Sequence, residues 1–230
     1  GDTMERFAII GLGRFGMMLA KLLAADGADV IAVDADRDCV DAIRDHVSIA
    51  VCLNATDAEA LKSQGIDKVD VAVVGVGDSF EDSVLVTVTL KELGVPTVIS
   101  RATSRVRAEI LSRVGADDVV NPEKESAQRW KNRLVAPSIM ERIELAEGAS
   151  LVQLQSPDSF HNKTLSQLDL RKAYRVNIVA IRRTIEEIED DQPVTKQFLI
   201  SVPAGDTAIK PGDVLILIGT DEAIENLPAN

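Results

Sequence analysis

The chain has 230 residues, 46% of them apolar and only 3% aromatic, and a formal net charge of −12. The length holds one large domain or two smaller ones, and the composition suits a Val/Ile/Leu/Ala core such as a buried parallel sheet uses. The charge excludes nucleic-acid binding through phosphate neutralisation, which needs a basic face.

No apolar run approaches the roughly 18–20 residues that cross a bilayer. Cys39 and Cys52 make neither a disulfide framework nor a metal cluster. The expectation is a soluble protein of a reduced, cytoplasmic compartment. Gly1, Asp2 and Thr3 before Met4 read as an expression remnant.

Residues 7–36 read FAIIGLGRFGMMLAKLLAADGADVIAVDAD. A strand, Phe7–Ile10, leads into Gly11, Gly13 and Gly16 in G-x-G-x-x-G spacing. A helix follows, with Phe15, Met18, Leu19, Leu22 and Leu23 at helical spacing, and a second strand, Val30–Val33, ends at Asp34. The first glycine permits a sharp turn, the second a close approach to phosphates, and the third packing of helix on sheet. The helix N-terminus offers N–H groups and a positive dipole end to the phosphates, and Asp34 can accept from ribose hydroxyls. Strand, turn, helix and downstream acid all stand where a dinucleotide-type fingerprint requires them.

The pattern then repeats. A short helix carries Val40 and Ile43, and strand Ile49–Leu53 runs into Asn54-Ala55-Thr56, with Thr56 or Asp57 as the next helix cap. Strand Val71–Val74 ends in Gly75-Val76-Gly77-Asp78-Ser79, small enough for a ligand to lie across it. An apolar helix runs to about Leu93, strand Thr97–Ser100 leads to Arg101, Thr103 caps a helix with Val106, Ile110, Leu111 and Val114 inward, and Asp118–Val120 is a sixth strand. Six strands with connecting helices predict an α/β, Rossmann-like doubly wound parallel sheet of order 3-2-1-4-5-6 with right-handed crossovers. The expected nucleotide contacts are Gly11, Gly13, Arg14, Phe15, Gly16, Asp34, Ala35, Asp36, Asn54, Ala55, Thr56, Gly75, Val76, Gly77 and Arg101.

After the sixth strand, Asn121 is a cap and Pro122 a first helical residue. The helix runs to about Val135 before Pro137, and a second short helix covers Ser138–Ile143. From about Ser150 the pattern changes to a small α+β lobe. Its strands are Leu151–Gln155, Val176–Ile181, Phe198–Val202 and Val214–Ile218. Leu165–Ala173 and Asp221–Leu227 read as helices, and Glu186–Gln192 as an acidic loop. The expected organisation is a nucleotide-binding domain over 4–121, a helical connector over 122–147 and a lobe over 148–230. His46 and His161 read as surface or packing residues, the two cysteines as core filler, and Trp130 as a subunit contact.

This layout resembles the regulators of potassium conductance (RCK, or KTN), the cytosolic regulatory subunits of bacterial Ktr- and Trk-type potassium uptake. Gly11-Leu12-Gly13-Arg14-Phe15-Gly16, Asp34 and Gly115-Ala116-Asp117 with Asn121-Pro122-Glu123-Lys124 carry the resemblance in the first half. Lys163-Thr164-Leu165, Leu168-Asp169-Leu170-Arg171, Val176–Arg183 and Ile209-Lys210-Pro211-Gly212-Asp213 carry it in the second. The resemblance implies ATP or ADP over the glycines, with NAD or NADH as the Trk-type alternative. It places Arg14 on the terminal phosphate and Glu123 on a cation at a dimer interface. It places Arg171 and Asn177 on cyclic di-AMP, against a plainer reading in which Arg171 caps and Asn177 turns the chain. It implies a homodimer assembled into an octameric ring beneath a membrane potassium transporter, at the inner face of the cell membrane. Arg101 and Asn121 depart from the lysine and histidine common there.

The residues agree in part. A guanidinium in the first helical turn clamps phosphate oxygens as a fork, and Asp34 disfavours the 2′-phosphate of NADP. An NAD-dependent oxidoreductase is the rival from another class, because fold does not fix function. It needs an acid or base beside the nicotinamide, yet the only tyrosine, Tyr174, has Ile178 four residues on and the histidines have no acid at suggestive spacing. The sequence therefore favours a regulatory binding module over an enzyme.

Overall fold

The structure, a computed structural model, describes residues 5–76, 79–189 and 192–228. It divides into two compact units, Gly1–Lys124 and Glu125–Asn230. In the first, β1 (Arg6–Ile10), β2 (Asp29–Asp34), β3 (Ile49–Cys52), β4 (Val71–Val74), β5 (Thr97–Arg101) and β6 (Asp118–Val120) form one parallel sheet of order β3-β2-β1-β4-β5-β6. The connecting helices are α1 (Arg14–Ala25), α2 (Arg37–Ile43), α3 (Ala58–Ser63), α4 (Phe80–Glu92) and α5 (Arg105–Arg113).

Alternate residues of the central strands enter two separate cores. Ala8, Ile10, Ile31, Val33, Ala72 and Val74 pack with Leu61 of α3 and with Val86 and Leu90 of α4. Ile9, Val30, Ala32 and Val73 pack with Ala20 of α1 and with Val40 and Ile43 of α2. Burial on both faces explains why these strands are apolar throughout, and right-handed crossovers then fix the strand order. The order reverses between β1 and β4, and ligands of such sheets bind outside the strand C-termini at that point.

Helix α6 (Pro122–Val135) follows β6, with Asn121 Oδ1 accepting from the Lys124 N–H at 3.0 Å. It buries no residue; Trp130, Leu134 and Val135 are exposed, and the Arg133 guanidinium lies over the Trp130 ring. The second unit is an antiparallel sheet of order β10-β9-β11-β8-β7, built from β7 (Ile139–Ala146), β8 (Ala149–Gln155), β9 (Asn177–Glu189), β10 (Gln192–Ile200) and β11 (Val214–Thr220). Short helices α7 (Leu165–Leu168), α8 (Leu170–Ala173) and α9 (Asp221–Glu225) accompany it. Phe160, Ile181, Ile209 and Leu215 fill its core. The Arg183 guanidinium donates to both oxygens of the buried Asp213, at 2.8 and 2.7 Å, and to the Ala208 carbonyl.

Several local expectations are corrected. Residues 138–143 are not helical: most of them belong to β7, which pairs with β8 across the Gly148 turn (φ +73°). The connector is thus part helix and part strand. The acidic stretch from Glu186 is paired strand, with Glu186 opposite Thr195 and Glu187 opposite Val194. The 165–173 helix is interrupted at Asp169, whose φ of +42° no helix sustains. Ser104 rather than Thr103 caps α5, and Cys52 is exposed rather than core. His161 packs its ring on the Ser156 hydroxyl at 2.9 Å.

Candidate functional site

The site forms where β1 turns into α1. Gly11 has φ +95°, and a Cβ there would lie 2.5 Å from the Gly75 carbonyl oxygen, so only glycine fits. Its N–H donates to the Val33 carbonyl at 2.8 Å, while the Gly75 N–H donates to the Ile10 carbonyl at 2.7 Å, which locks the turn between β2 and β4. A Cβ on Gly16 would overlap the Gly11 carbonyl, so the third glycine lets α1 sit on the turn. Gly13 behaves differently: a Cβ there meets nothing within 4 Å. Its hydrogen opens onto free space where an incoming group can approach the backbone.

Helix α1 starts at Gly13 with no side-chain cap and no acid in its first turn. By contrast, Asp36, Asp57, Ser79 and Ser104 cap α2, α3, α4 and α5 with side-chain oxygens. The first N–H groups of α1 are therefore left for an anion. Arg14 stands exposed in that first turn with Phe15 half-buried beside it.

Asp34 closes the other side. Its Oδ2 accepts from the Leu12 N–H at 2.6 Å and its Oδ1 from the Asp36 N–H at 2.8 Å. Two backbone donors fix the carboxylate beside the glycine turn, with lone pairs remaining for hydroxyl donors. A pocket of about 190 Å³ opens there, lined by Gly11, Asp34, Ala35, Asn54, Ala55, Thr56 and Val76 among the expected residues. Asn54 Oδ1 accepts from both the N–H and the hydroxyl of Thr56, at 3.0 and 2.8 Å, which shapes the loop after β3. The lining also includes Ile10, Val33, Leu53, Asp82 and Val86, which sequence reasoning missed. The spacing of Asp82 and Val86, four apart in the helix after β4, is the signal that could have found them.

Asp36 lies outside this lining; its Oδ1 caps α2 by accepting from the Asp38 N–H at 2.9 Å. Gly77 lies outside the described residues. Arg101, at the end of β5, is ion-paired through Nη2 to Glu123 Oε1 in the first turn of α6. Among the described residues no three His, Cys, Asp or Glu side chains gather into a metal site, so a cation at Glu123 needs ligands from elsewhere. In the second unit Arg171 Nε donates to Asn177 Oδ1 at 2.8 Å, rather than to helix carbonyls. Both line a cavity of about 260 Å³ with Asp169, Leu170, Ile178 and Pro203. No helix among the described residues is long and apolar enough to cross a membrane.

Comparison with known proteins places both units. Residues 7–122 match the TrkA-N domain and residues 150–228 the TrkA-C domain. The chain is 36% identical to Ktr system potassium uptake protein C of Bacillus subtilis, over 94% of this chain and 92% of that one. It is 30% identical to Ktr system potassium uptake protein A of Vibrio alginolyticus, over 96% of each. Among solved structures, the GsuK RCK domain aligns with a TM-score of 0.54 and 27% identity over 96% of this chain, which spans 45% of that one. The chain belongs to the TrkA-N/TrkA-C (RCK) family, that of the non-enzymatic regulatory subunits of Ktr-type potassium uptake.

Proposed function

We propose that this chain senses adenine nucleotides and passes their state to a membrane potassium transporter. The observation that carries the reading is the pairing of the uncapped α1 N-terminus, open at Gly13, with the backbone-fixed carboxylate of Asp34. The first suits a phosphate chain and the second the ribose attached to it. Gly11, Gly16, Phe15 and Gly75 shape the turn, and Ala35, Asn54, Ala55, Thr56 and Val76 hold the nucleoside. Arg101 closes the end of β5 in this reading and Asp36 supports through α2, while Gly77 is a proposed contact by sequence alone.

Arg14 reaches a terminal phosphate, which favours ATP or ADP over NAD, whose two phosphates the helix end already serves. Glu123 leaves Arg101 to share a cation with the third phosphate across a dimer. The chain acts as a homodimer in an octameric ring at the cytoplasmic face of the membrane, and the connector, about residues 123–145, is the dimer contact and the element that couples the ring to the transporter. Such a ring responds to nucleotide only through unequal affinity of its shapes for ATP and ADP. Arg171 and Asn177 hold a second, dianionic ligand, cyclic di-AMP. The similarity to Ktr uptake proteins over nearly the whole chain supports the transporter as partner.

Calorimetric titration with ATP, ADP, NADH and cyclic di-AMP tests this. Binding of ATP and ADP is expected. Tight NADH binding without ATP binding would replace the reading with an NAD(H)-sensing one.

A further inference from the structure

The nucleotide reading uses the glycine turn, Asp34 and Arg14, and leaves Asp82 without a role. Asp82 and Val86 stand one turn apart on α4, and both line the pocket at Asp34. Val86 is fully buried, while Asp82 is exposed at the rim. Leu53, Ala55 and Val76 make the rest of that wall apolar. Among the described residues of the lining, Asp34 and Asp82 are the charged ones, and no Lys, Arg or His joins them. Two carboxylates without a cation repel phosphate. The pocket therefore takes the uncharged end of a nucleotide, with its phosphates on the α1 side.

Asp34 is held against the glycine turn by Leu12 and Asp36, which is the ribose position. Asp82 reaches the pocket from a different element, beside the apolar wall that would cover the faces of a flat ring. An ionised carboxylate only accepts hydrogen bonds, so the ring edge it meets must carry a donor. We propose that Asp82 reads the base, its carboxylate accepting a hydrogen bond from the exocyclic N6 amino group of adenine. This rests on the adenine-nucleotide reading of the site. It makes Asp82 a specificity-determining residue that admits adenine and disfavours purines lacking the amino donor.

Asp82 also sits in the first turn of α4, where its N–H donates to Ser79 Oγ at 3.2 Å and its charge suits the helix dipole. The test must separate recognition from that structural role, so the readout is a ratio. ADP and purine riboside 5′-diphosphate, which lacks the amino group, are titrated into the wild type, Asp82→Ala and Asp82→Asn. The wild type is expected to prefer ADP by about tenfold or more, the range of a hydrogen bond to a charged group. The preference should fall to about twofold in Asp82→Ala and drop at least about threefold in the isosteric Asp82→Asn. Loss of helix stability would weaken both ligands alike and leave the ratio unchanged. A wild-type ratio near one, or a ratio the substitutions do not move, overturns the role of Asp82 while ADP binding still upholds the nucleotide site. Tighter binding of GDP, whose ring N1–H and N2 amino group also donate to a carboxylate, overturns the adenine assignment. Absence of ADP binding in the wild type removes the nucleotide reading and this proposal together.

Discussion

Alanine at Gly11 and alanine at Gly13 should separate folding from binding in the glycine turn. At Gly11 the added Cβ would lie 2.5 Å from the Gly75 carbonyl oxygen. Carbon–oxygen contacts settle at about 3.3 Å, so turn and strand end must part by about 0.8 Å. Overpacking of this kind costs about 1–3 kcal/mol, and the φ of +95° adds about 1–2 kcal/mol for an L side chain. A total of about 3 kcal/mol should lower the thermal midpoint of the first unit by roughly 10 °C. At Gly13 φ is −68° and the Cβ meets nothing within 4 Å. Stability there should change by less than about 1 kcal/mol. The methyl would nevertheless stand where phosphates approach, so ADP affinity should fall about tenfold or more. Scanning calorimetry and ADP titration on both variants decide the matter. A Gly11→Ala midpoint within experimental error of wild type, or Gly13→Ala binding ADP as wild type does, would refute the reasoning.

Arg14→Ala should lose about tenfold in ATP affinity and clearly less for ADP; equal losses would mean that the guanidinium does not sense the terminal phosphate. Asp213→Ala strands the largely buried Arg183 guanidinium, whose pKa Asp213 raises by hydrogen bonding. It should destabilise the second unit by about 3–5 kcal/mol in urea unfolding, and a loss below about 1 kcal/mol would show the pair to be dispensable. Asp29 is held below the usual carboxylate range by hydrogen bonds from Ser48 and Arg6, and Asp117 by those from Lys91 and the Val98 N–H. Folded pKa values below the unfolded ones give stability at neutral pH that is lost as pH falls through the folded values. The double variant Asp29→Asn/Asp117→Asn should therefore lose less stability than wild type between about pH 5 and 2. Parallel pH–stability curves for the two proteins would contradict this.

The first unit was legible because its signals are local. The glycines, Asp34 and the continuous apolar strands each answer a constraint set within a few residues, and the strand order follows from crossover handedness. The second unit hid its edges. In β7 the register shifts between Ile139 and Glu141 and again between Glu144 and Ala146, which breaks the alternation and leaves Ile139 and Ile143 at helical spacing. Only pairing with β8, invisible in a local window, makes it a strand. Beyond Ile185 the β9–β10 ladder carries mostly exposed side chains such as Ile188, Glu186 and Thr195, so no burial pattern marked it, and its acidic residues read as loop. In the candidate site, the pocket wall from α4 was hidden for a related reason. Asp82 and Val86 come to Asp34 through tertiary packing, across a sheet whose strand order must be known first.

The account turns on whether the phosphate tail at the α1 N-terminus changes how subunits meet. Small-angle scattering of the full chain, saturated in turn with ATP and with ADP, tests this most directly. Distinct scattering profiles at equal subunit number are predicted for the two nucleotides. Superimposable profiles, with both nucleotides shown to be bound, would contradict it.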